Sequence, residues 1–475
     1  MTLDGFKKVY MVGIGGIAMG TLATMLKESG YEVGGSDHNL YPPMSTHLET
    51  LGIPLFEGFS PDNPKVFDPD AFIIGNVVRR ENPEAQFILA QDRPYFSMPQ
   101  AISKFFLSGH KSMVVSGTHG KSTTSSLLAW VLEQGGIDPT AFIGAFVKDW
   151  NRSYRLGTGE YMILEGDEYD TAFFDKGPKF LHYQPQIAIV TSVEFDHADI
   201  FANFDAILKA FRDFVRLIPE RGHLIINADD PNSAALAAEC RGHVLTYGHS
   251  HRADWQIKAI EYRPGEVAFR LRNPKTFREE TFRSRLSGRH NVWNVTAVIA
   301  AATLAGMSME SIQEAVLGFN GVKRRQDILG EFGGVLLMED FAHHPTAVHE
   351  TLTGLRHFYP DRRLIAAFEP RTNSSRRNIF QEHYARAFDA ADVICIKQPP
   401  GMGSIPEGER LDTKRLVSEI CRRDKNAFYF ENADDLAGFL LESARPGDLL
   451  VCMSNGSFDG IPTRMAEGLR GKMGE

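Results

Sequence analysis

Short apolar strand-like runs alternate with helix-like runs along the chain, and two of these strands run directly into glycine-rich turns that open a helix. That rhythm is the signature of βαβ units and parallel sheets, which place ligands at the carboxyl ends of their strands. The expected class is therefore α/β. A length of 475 residues suggests about three domains, and the chain divides into three blocks without an internal repeat or a low-complexity linker.

The first block, 1–109, opens with the strand KKVYMVGIGG, continues through a helix to the strand YEVGGSD, and contains the later strand AFIIGN. The second, 110–322, opens with KSMVV and the turn SGTHGKS. A helix TTSSLLAWVLEQ then stops at Gly135-Gly136, and the strands YMILE, IAIVTSV and HLIIN and a helix HNVWNVTAVIAAATLAG follow. The third, 323–475, carries the strands VLLMED, LIAAFE, DVICIK, AFYFE and DLLVCMS separated by helices such as DTKRLVSEICRR, and reads as a second doubly wound unit.

The strongest local motif is Ser116 to Thr124, SGTHGKSTT, between a strand and a helix. Backbone N–H groups of such a turn converge on phosphate oxygens, with Lys121 on the β and γ phosphates and Ser122 on Mg²⁺. Only two residues separate Gly117 from Gly120, so the full P-loop spacing is not met, and a plain tight turn before a helix is the alternative. The first turn, Gly13-Ile14-Gly15-Gly16-Ile17-Ala18 with Asp37 downstream, fits a dinucleotide fingerprint. It suits NAD(P) or the diphosphate of a sugar nucleotide, or it is a turn without a ligand. Two nucleotide loops in one chain imply a dehydrogenase joined to an ATPase, or a ligase acting on a nucleotide-linked substrate; the ligase needs fewer assumptions. A non-catalytic nucleotide switch would not need the acids that follow.

Those acids end two strands: Glu165-Gly166-Asp167-Glu168-Tyr169-Asp170 after YMILE, and Glu194-Phe195-Asp196-His197-Ala198-Asp199 after IAIVTSV. Oxygen ligands at strand ends suit Mg²⁺. Asp340 ends VLLMED just before Phe341-Ala342-His343-His344-Pro345, where it orients ATP or a metal-bound water, or caps the next helix. His343 and His344 are candidates for substrate contact or proton transfer.

Composition narrows the partners. A formal charge of −9 argues against nucleic acid, so the clusters Lys323-Arg324-Arg325 and Arg376-Arg377 read as phosphate contacts or plain surface. Four scattered cysteines without a CxxC pair fit reduced cytosolic thiols. The opening stretch MTLDGFKKVY lacks the apolar run expected of a signal peptide, and the most apolar helical run, near Val292 to Met307, is too short for a bilayer. A cytoplasmic protein is expected, with no membrane partner and with monomer and homodimer both open.

GTHGKST, EGDEYD, EFDHAD, GRHNVWN, KRRQD and EDFAHHPT occur in the order and spacing of the Mur ligases, so the chain resembles that family over essentially its whole length. The resemblance implies an N-terminal Rossmann-like sugar-nucleotide domain, a central P-loop ATPase domain and a C-terminal Rossmann-like domain. Its reaction is ATP-dependent amide formation through an acyl phosphate. Carried over by position, Gly117, Thr118, His119, Gly120, Lys121, Ser122 and Thr123 bind ATP phosphates, and Ser122, Glu165 and His197 hold Mg²⁺. Asn291 and Asn294 lie near the adenine with His290 beside them, and Arg325 and Asp340 contact ATP. Gly13, Gly15, Gly16, Ile17 and Asp37 serve the UDP-sugar. Lys121, Glu165, His197, Asp340 and His343 form the expected catalytic set.

The stretches Tyr41 to Thr46, Phe173 to Lys176, Glu194 to Phe201, Phe368 to Asn373 and Met453 to Gly456 are similar to the family branch that attaches a whole tripeptide. That branch joins L-alanyl-γ-D-glutamyl-meso-diaminopimelate to UDP-N-acetylmuramate in cell-wall recycling; addition of L-alanine is the alternative. Some members carry a carbamylated lysine where this chain has Phe211, with Lys209 two residues early, and none is expected here. The DNPR motif of the single-residue diaminopimelate ligases is absent, and Arg371, with His344, is the candidate contact for the peptide. Phe341 replaces a tyrosine common in the alanine-adding branch.

Overall fold

The computed structural model describes residues 5–41, 44–196, 200–201 and 203–471, which form three sheets and one separate hairpin. In the first sheet, β1 (Lys8–Val12), β2 (Glu32–Asp37), β3 (Leu55–Glu57), β4 (Ala71–Ile74) and β5 (Tyr95–Ser97) lie in the order β3-β2-β1-β4-β5. Every pairing is parallel. The order reverses at β1, so the glycine turn after Val12 opens at a topological switch point.

The central sheet has ten strands: β6 (Lys111–Ser116), β7 (Thr140–Val147), β8 (Arg152–Arg155), β9 (Tyr161–Gly166), β12 (Ile187–Val190), β13 (His223–Asn227), β14 (His243–Gly248), β15 (Trp255–Arg263), β16 (Glu266–Arg272) and β17 (Glu279–Ser284). β10 (Asp170–Ala172) and β11 (Asp175–Pro178) form the separate hairpin. The order is β17-β16-β15-β14-β13-β12-β6-β9-β7-β8. Here the structure corrects the expectation of unbroken strand–helix alternation: β15, β16 and β17 are an antiparallel meander. Pro264-Gly265 joins the first two without a helix, because antiparallel neighbours need only a tight turn.

A second correction concerns IAIVTSV, of which only Ile187–Val190 is strand. Thr191 and Ser192 spend their polar groups on the phosphate loop instead. Thr118 N–H donates to Ser192 O (2.8 Å), His119 N–H to Ser192 Oγ (3.2 Å), and Thr191 Oγ1 to Ser116 O (3.2 Å).

The third sheet comprises β18 (Asp327–Phe332), β19 (Val335–Asp340), β20 (Arg363–Phe368), β21 (Val393–Lys397), β22 (Asn426–Phe430) and β23 (Asp448–Met453), in the order β18-β19-β23-β20-β21-β22. It is parallel except at β18–β19. The carboxyl ends of β19, β23 and β20 therefore adjoin, and they face the central unit.

Burial follows the pattern of each element. The helix Phe204–Val215 is capped by Asn203 and buries Ile207, Ala210, Phe211, Phe214 and Val215, the i, i+3, i+4, i+7, i+8 stripe of an amphipathic helix. Phe211 is fully buried against Phe180, ring centroids 5.5 Å apart, and Lys209 points outward to Asp213 at 2.6 Å. A Phe211 of this kind contributes packing, and truncating it to alanine costs about 3–5 kcal/mol.

Candidate functional site

A cleft of about 870 Å³ lies where the three units meet. Its floor is the phosphate loop. Gly117 has φ +132° and a Cβ there would fall 2.1 Å from Thr191 Oγ1; Gly120 has φ +81° and its Cβ would fall 2.7 Å from Asn294 Oδ1. Both positions need glycine, for conformation and for room. The helix Lys121–Gln134 starts at Gly120 with no side-chain cap, so its first N–H groups remain available to an anion. Lys121 is half-buried beside them, with Nζ 2.8 Å from both Gly117 O and Glu168 Oε2. Burial disfavours its charge, but Glu168 and Asp167 reverse this and raise its pKa.

Glu165 at the end of β9 accepts from Ser122 Oγ (2.9 Å) and from Gly144 N–H (2.9 Å). It makes no ion pair among the described residues, and burial followed by the Asp167 charge pushes its pKa up. A half-buried carboxylate beside a hydroxyl, without an ion-pair partner among the described residues, is a hard oxygen pair of the kind Mg²⁺ takes. The residues therefore fit the ion. The third expected ligand, His197, lies outside the described residues, as do Ala198 and Asp199.

The third unit supplies the opposite wall. Asp340 accepts from the backbone N–H groups of Gln326 and Ala342, each at 2.7 Å, so it does not cap the following helix. His344 does, accepting from Thr346 N–H. Burial pushes Asp340 up while the nearby Arg325 charge opposes the rise. Arg325 is half-buried and lies 4.5 Å over the Phe341 ring. His343 lines the cleft; its Nδ1 is 3.1 Å from Phe341 O and its Nε2 3.8 Å from Asp196. Arg371 stands outside the cleft lining, 3.3 Å from Glu369, which also binds Lys397 and Ser454 at 2.9 Å each.

His344 is buried and joins two residues of the central unit. Glu194 Oε2 is 3.3 Å from His119 Nε2, 3.5 Å from His344 Nδ1 and 2.8 Å from Thr346 Oγ1. Burial pushes His344 down from 6.5 to about 3. Burial would raise Glu194, but the His119 hydrogen bond and the neighbouring imidazoles hold it at about 2. Both groups therefore bind fewer protons folded than unfolded. Stability is full above pH 6.5 and declines as acid protonates the unfolded His344 and then, near pH 4.5, the unfolded Glu194. The urea midpoint of wild type should fall between pH 6.5 and pH 4.5 more steeply than that of His344→Gln; equal slopes contradict the assignment.

The remaining expected residues divide. Thr118, Thr123, His290, Asn291 and Asn294 line the cleft, and the Asn291 amide donates to Ser287 O (2.7 Å) and the Asn294 amide to Asn291 Oδ1 (3.1 Å), so these two amides are held by each other and by the turn before their helix. Of the first glycine loop, Ile17 and Ala18 line the cleft. Gly13, Gly15 and Gly16 form the turn before them, and Asp37 folds back to accept from Gly15 N–H at 2.8 Å. Residues the motifs did not single out include Lys179, 3.0 Å from Asp167, and Glu350, which pairs with Arg289 and His290. No spacing rule ties either to the loop. Glu194 stood in a recognised acidic run, but the run did not say which acid turned toward the third unit.

The Mur ligase family catalytic domain matches residues 8–109, the Mur ligase middle domain 115–302, and the Mur ligase, glutamate ligase domain 324–456. The UDP-N-acetylmuramate–L-alanyl-γ-D-glutamyl-meso-2,6-diaminoheptandioate ligase of Escherichia coli is 36% identical over 468 residues, 98% of this chain and 99% of that one. The UDP-N-acetylmuramate–L-alanine ligase of Myxococcus xanthus is 33% identical over 471 residues, 98% and 95% of the two chains. Among solved structures, a murein peptide ligase from Psychrobacter arcticus superposes with a TM-score of 0.71 at 33% identity, covering 98% and 99%. Among the described residues no helix is long and apolar enough to cross a membrane.

Proposed function

The chain belongs to the Mur ligase family, and on that premise we propose that it joins the tripeptide L-alanyl-γ-D-glutamyl-meso-diaminopimelate to UDP-N-acetylmuramate in the cytoplasm. It is an ATP-dependent ligase. In this reading residues 1–109 take the UDP-sugar, 110–322 take ATP, and 323–475 take the incoming peptide. What carries it is the convergence on one cleft of an amide-lined loop with its lysine, a half-buried carboxylate–hydroxyl pair, and the Arg325–Asp340 wall of the third unit.

A carboxylate and an amine do not condense at neutral pH because the carboxylate has no leaving group. The sugar's lactyl carboxylate attacks the γ-phosphorus of ATP, giving an acyl phosphate and ADP. Charge grows on the transferring phosphoryl group, where the loop amides and Lys121 stabilise it. Ser122 and Glu165, with His197 as the family resemblance implies, would hold Mg²⁺, which would neutralise phosphate charge. Arg325, set over the Phe341 ring with the Asp340 charge nearby, adds a second cation. The peptide amine then attacks the acyl carbon, the C–O bond to phosphate breaks, and the amine proton must leave. His343 suits this better than His344, because it lines the cleft and its Nδ1–H can donate to Phe341 O, leaving Nε2 to accept the proton. Arg371, braced by Glu369, offers a guanidinium to a peptide carboxylate.

The test is phosphate release with ATP, Mg²⁺ and UDP-N-acetylmuramate, offering the tripeptide or L-alanine, with mass detection of the product. Tripeptide product is expected. Turnover with L-alanine alone would assign the chain to the activity named for its Myxococcus xanthus relative.

A further inference from the structure

Outside the Ser122–Glu165 pair, one cluster among the described residues has the composition and spacing of a metal site. His119, Glu194 and His344 each offer one ligand atom, all within 4.8 Å of one another. The residues come from three separate places: the phosphate loop, the segment after β12, and the cap of the helix Pro345–Phe358 in the third unit. Neighbouring ligands of a tetrahedral ion with bonds near 2.0–2.1 Å sit about 3.3 Å apart. The two measured edges to Glu194 Oε2 are 3.3 Å and 3.5 Å, long for hydrogen bonds and suitable for tetrahedron edges. The third edge, between the imidazoles, closes with a small movement of rings already 4.7 Å apart at their centroids.

The His344 imidazole has a nitrogen to spare. Its side chain is 7% exposed. Nδ1 accepts only a 3.3 Å bond from Thr346 N–H, and Nε2 is buried without a hydrogen-bond partner among the described residues. Ligation through Nδ1, the nitrogen 3.5 Å from Glu194, leaves the proton on Nε2 and costs one long cap bond.

We propose that His119, Glu194 and His344 bind one transition-metal cation of the Zn²⁺ type, which fastens the phosphate loop to the third unit. Two imidazoles and one carboxylate favour Zn²⁺ or Co²⁺ over Mg²⁺, which prefers oxygen and water. Three protein ligands leave a fourth position for solvent.

Equilibrium dialysis of the full-length chelator-treated chain against Co²⁺ in excess Mg²⁺ tests the site directly, without substrates and independently of the ligase reading. One retained Co²⁺ with the intense visible bands of tetrahedral coordination is expected, and two paramagnetically shifted imidazole N–H signals in its NMR spectrum. His119→Ala and Glu194→Gln should each weaken retention about tenfold or more, whereas Glu165→Gln should not. No retained Co²⁺, octahedral bands, fewer than two shifted imidazoles, displacement by Mg²⁺, or retention untouched by the folded variants overturns the proposal. The spectra of wild type decide the matter even if a variant does not fold.

Discussion

Replacing Lys121 with methionine should lower ATP-dependent amide formation about 10³-fold or more. Methionine keeps the length of the side chain and removes its charge. Nζ is 2.8 Å from Gly117 O and from Glu168 Oε2, at the start of the helix whose amides face the cleft. In that position it moves from Glu168 to a phosphate by rotating its last torsions. The lost charge acts where negative charge develops, so the deficit belongs in kcat for acyl phosphate formation. Glu168 and Asp167 also lose a neighbouring cation. Removing one partner of a buried pair exposes the other to its desolvation cost, so a modest loss of thermal stability accompanies the kinetic one. Single-turnover ADP formation is the measurement. A variant within tenfold of wild type would remove Lys121 from the transition state.

The second large effect is expected at Glu165. Glu165→Gln is isosteric but uncharged, and its amide cannot accept from both Ser122 Oγ and Gly144 N–H as the carboxylate does. We expect turnover to fall about 10²-fold or more and the Mg²⁺ concentration for half-maximal rate to rise about tenfold or more. Because burial and Asp167 make the ionised carboxylate costly without a cation, removing its charge should not destabilise the metal-free protein. A Mg²⁺ titration of activity beside a metal-free melting curve separates the two effects. An unchanged Mg²⁺ requirement would move the ion away from Glu165.

Much of the skeleton can be read from the chain alone, because its signals are local. Apolar runs of strand length bounded by glycines place β1, β6, β9, β13 and the five parallel strands of the third sheet. The GTHGKST turn is marked by its neighbours in sequence, and the conformations at Gly117 and Gly120 explain why those two residues stand there. The meander β15–β17 escaped because its strands are half-exposed and their turn carries no helix, so the alternation on either side gave no warning. The early end of β12 escaped because Thr191 and Ser192 suit a strand; only the adjacent loop, more than 70 residues away in sequence, claims their hydrogen bonds.

The sequence by itself therefore determined the α/β class, the phosphate loop and the pair of acidic strand ends, since each depends on interactions within a few residues or on a simple period. The tertiary structure decided which acid does what. Glu165 turns to Ser122, Glu168 to Lys121, and Glu194 to Thr346, 152 residues away on another unit. It also decided that His344, and not Asp340, caps the helix Pro345–Phe358. Carboxylates and imidazoles in neighbouring positions look alike in a sequence; their burial and their partners are set by the packing of three sheets around one cleft, and those set their charge.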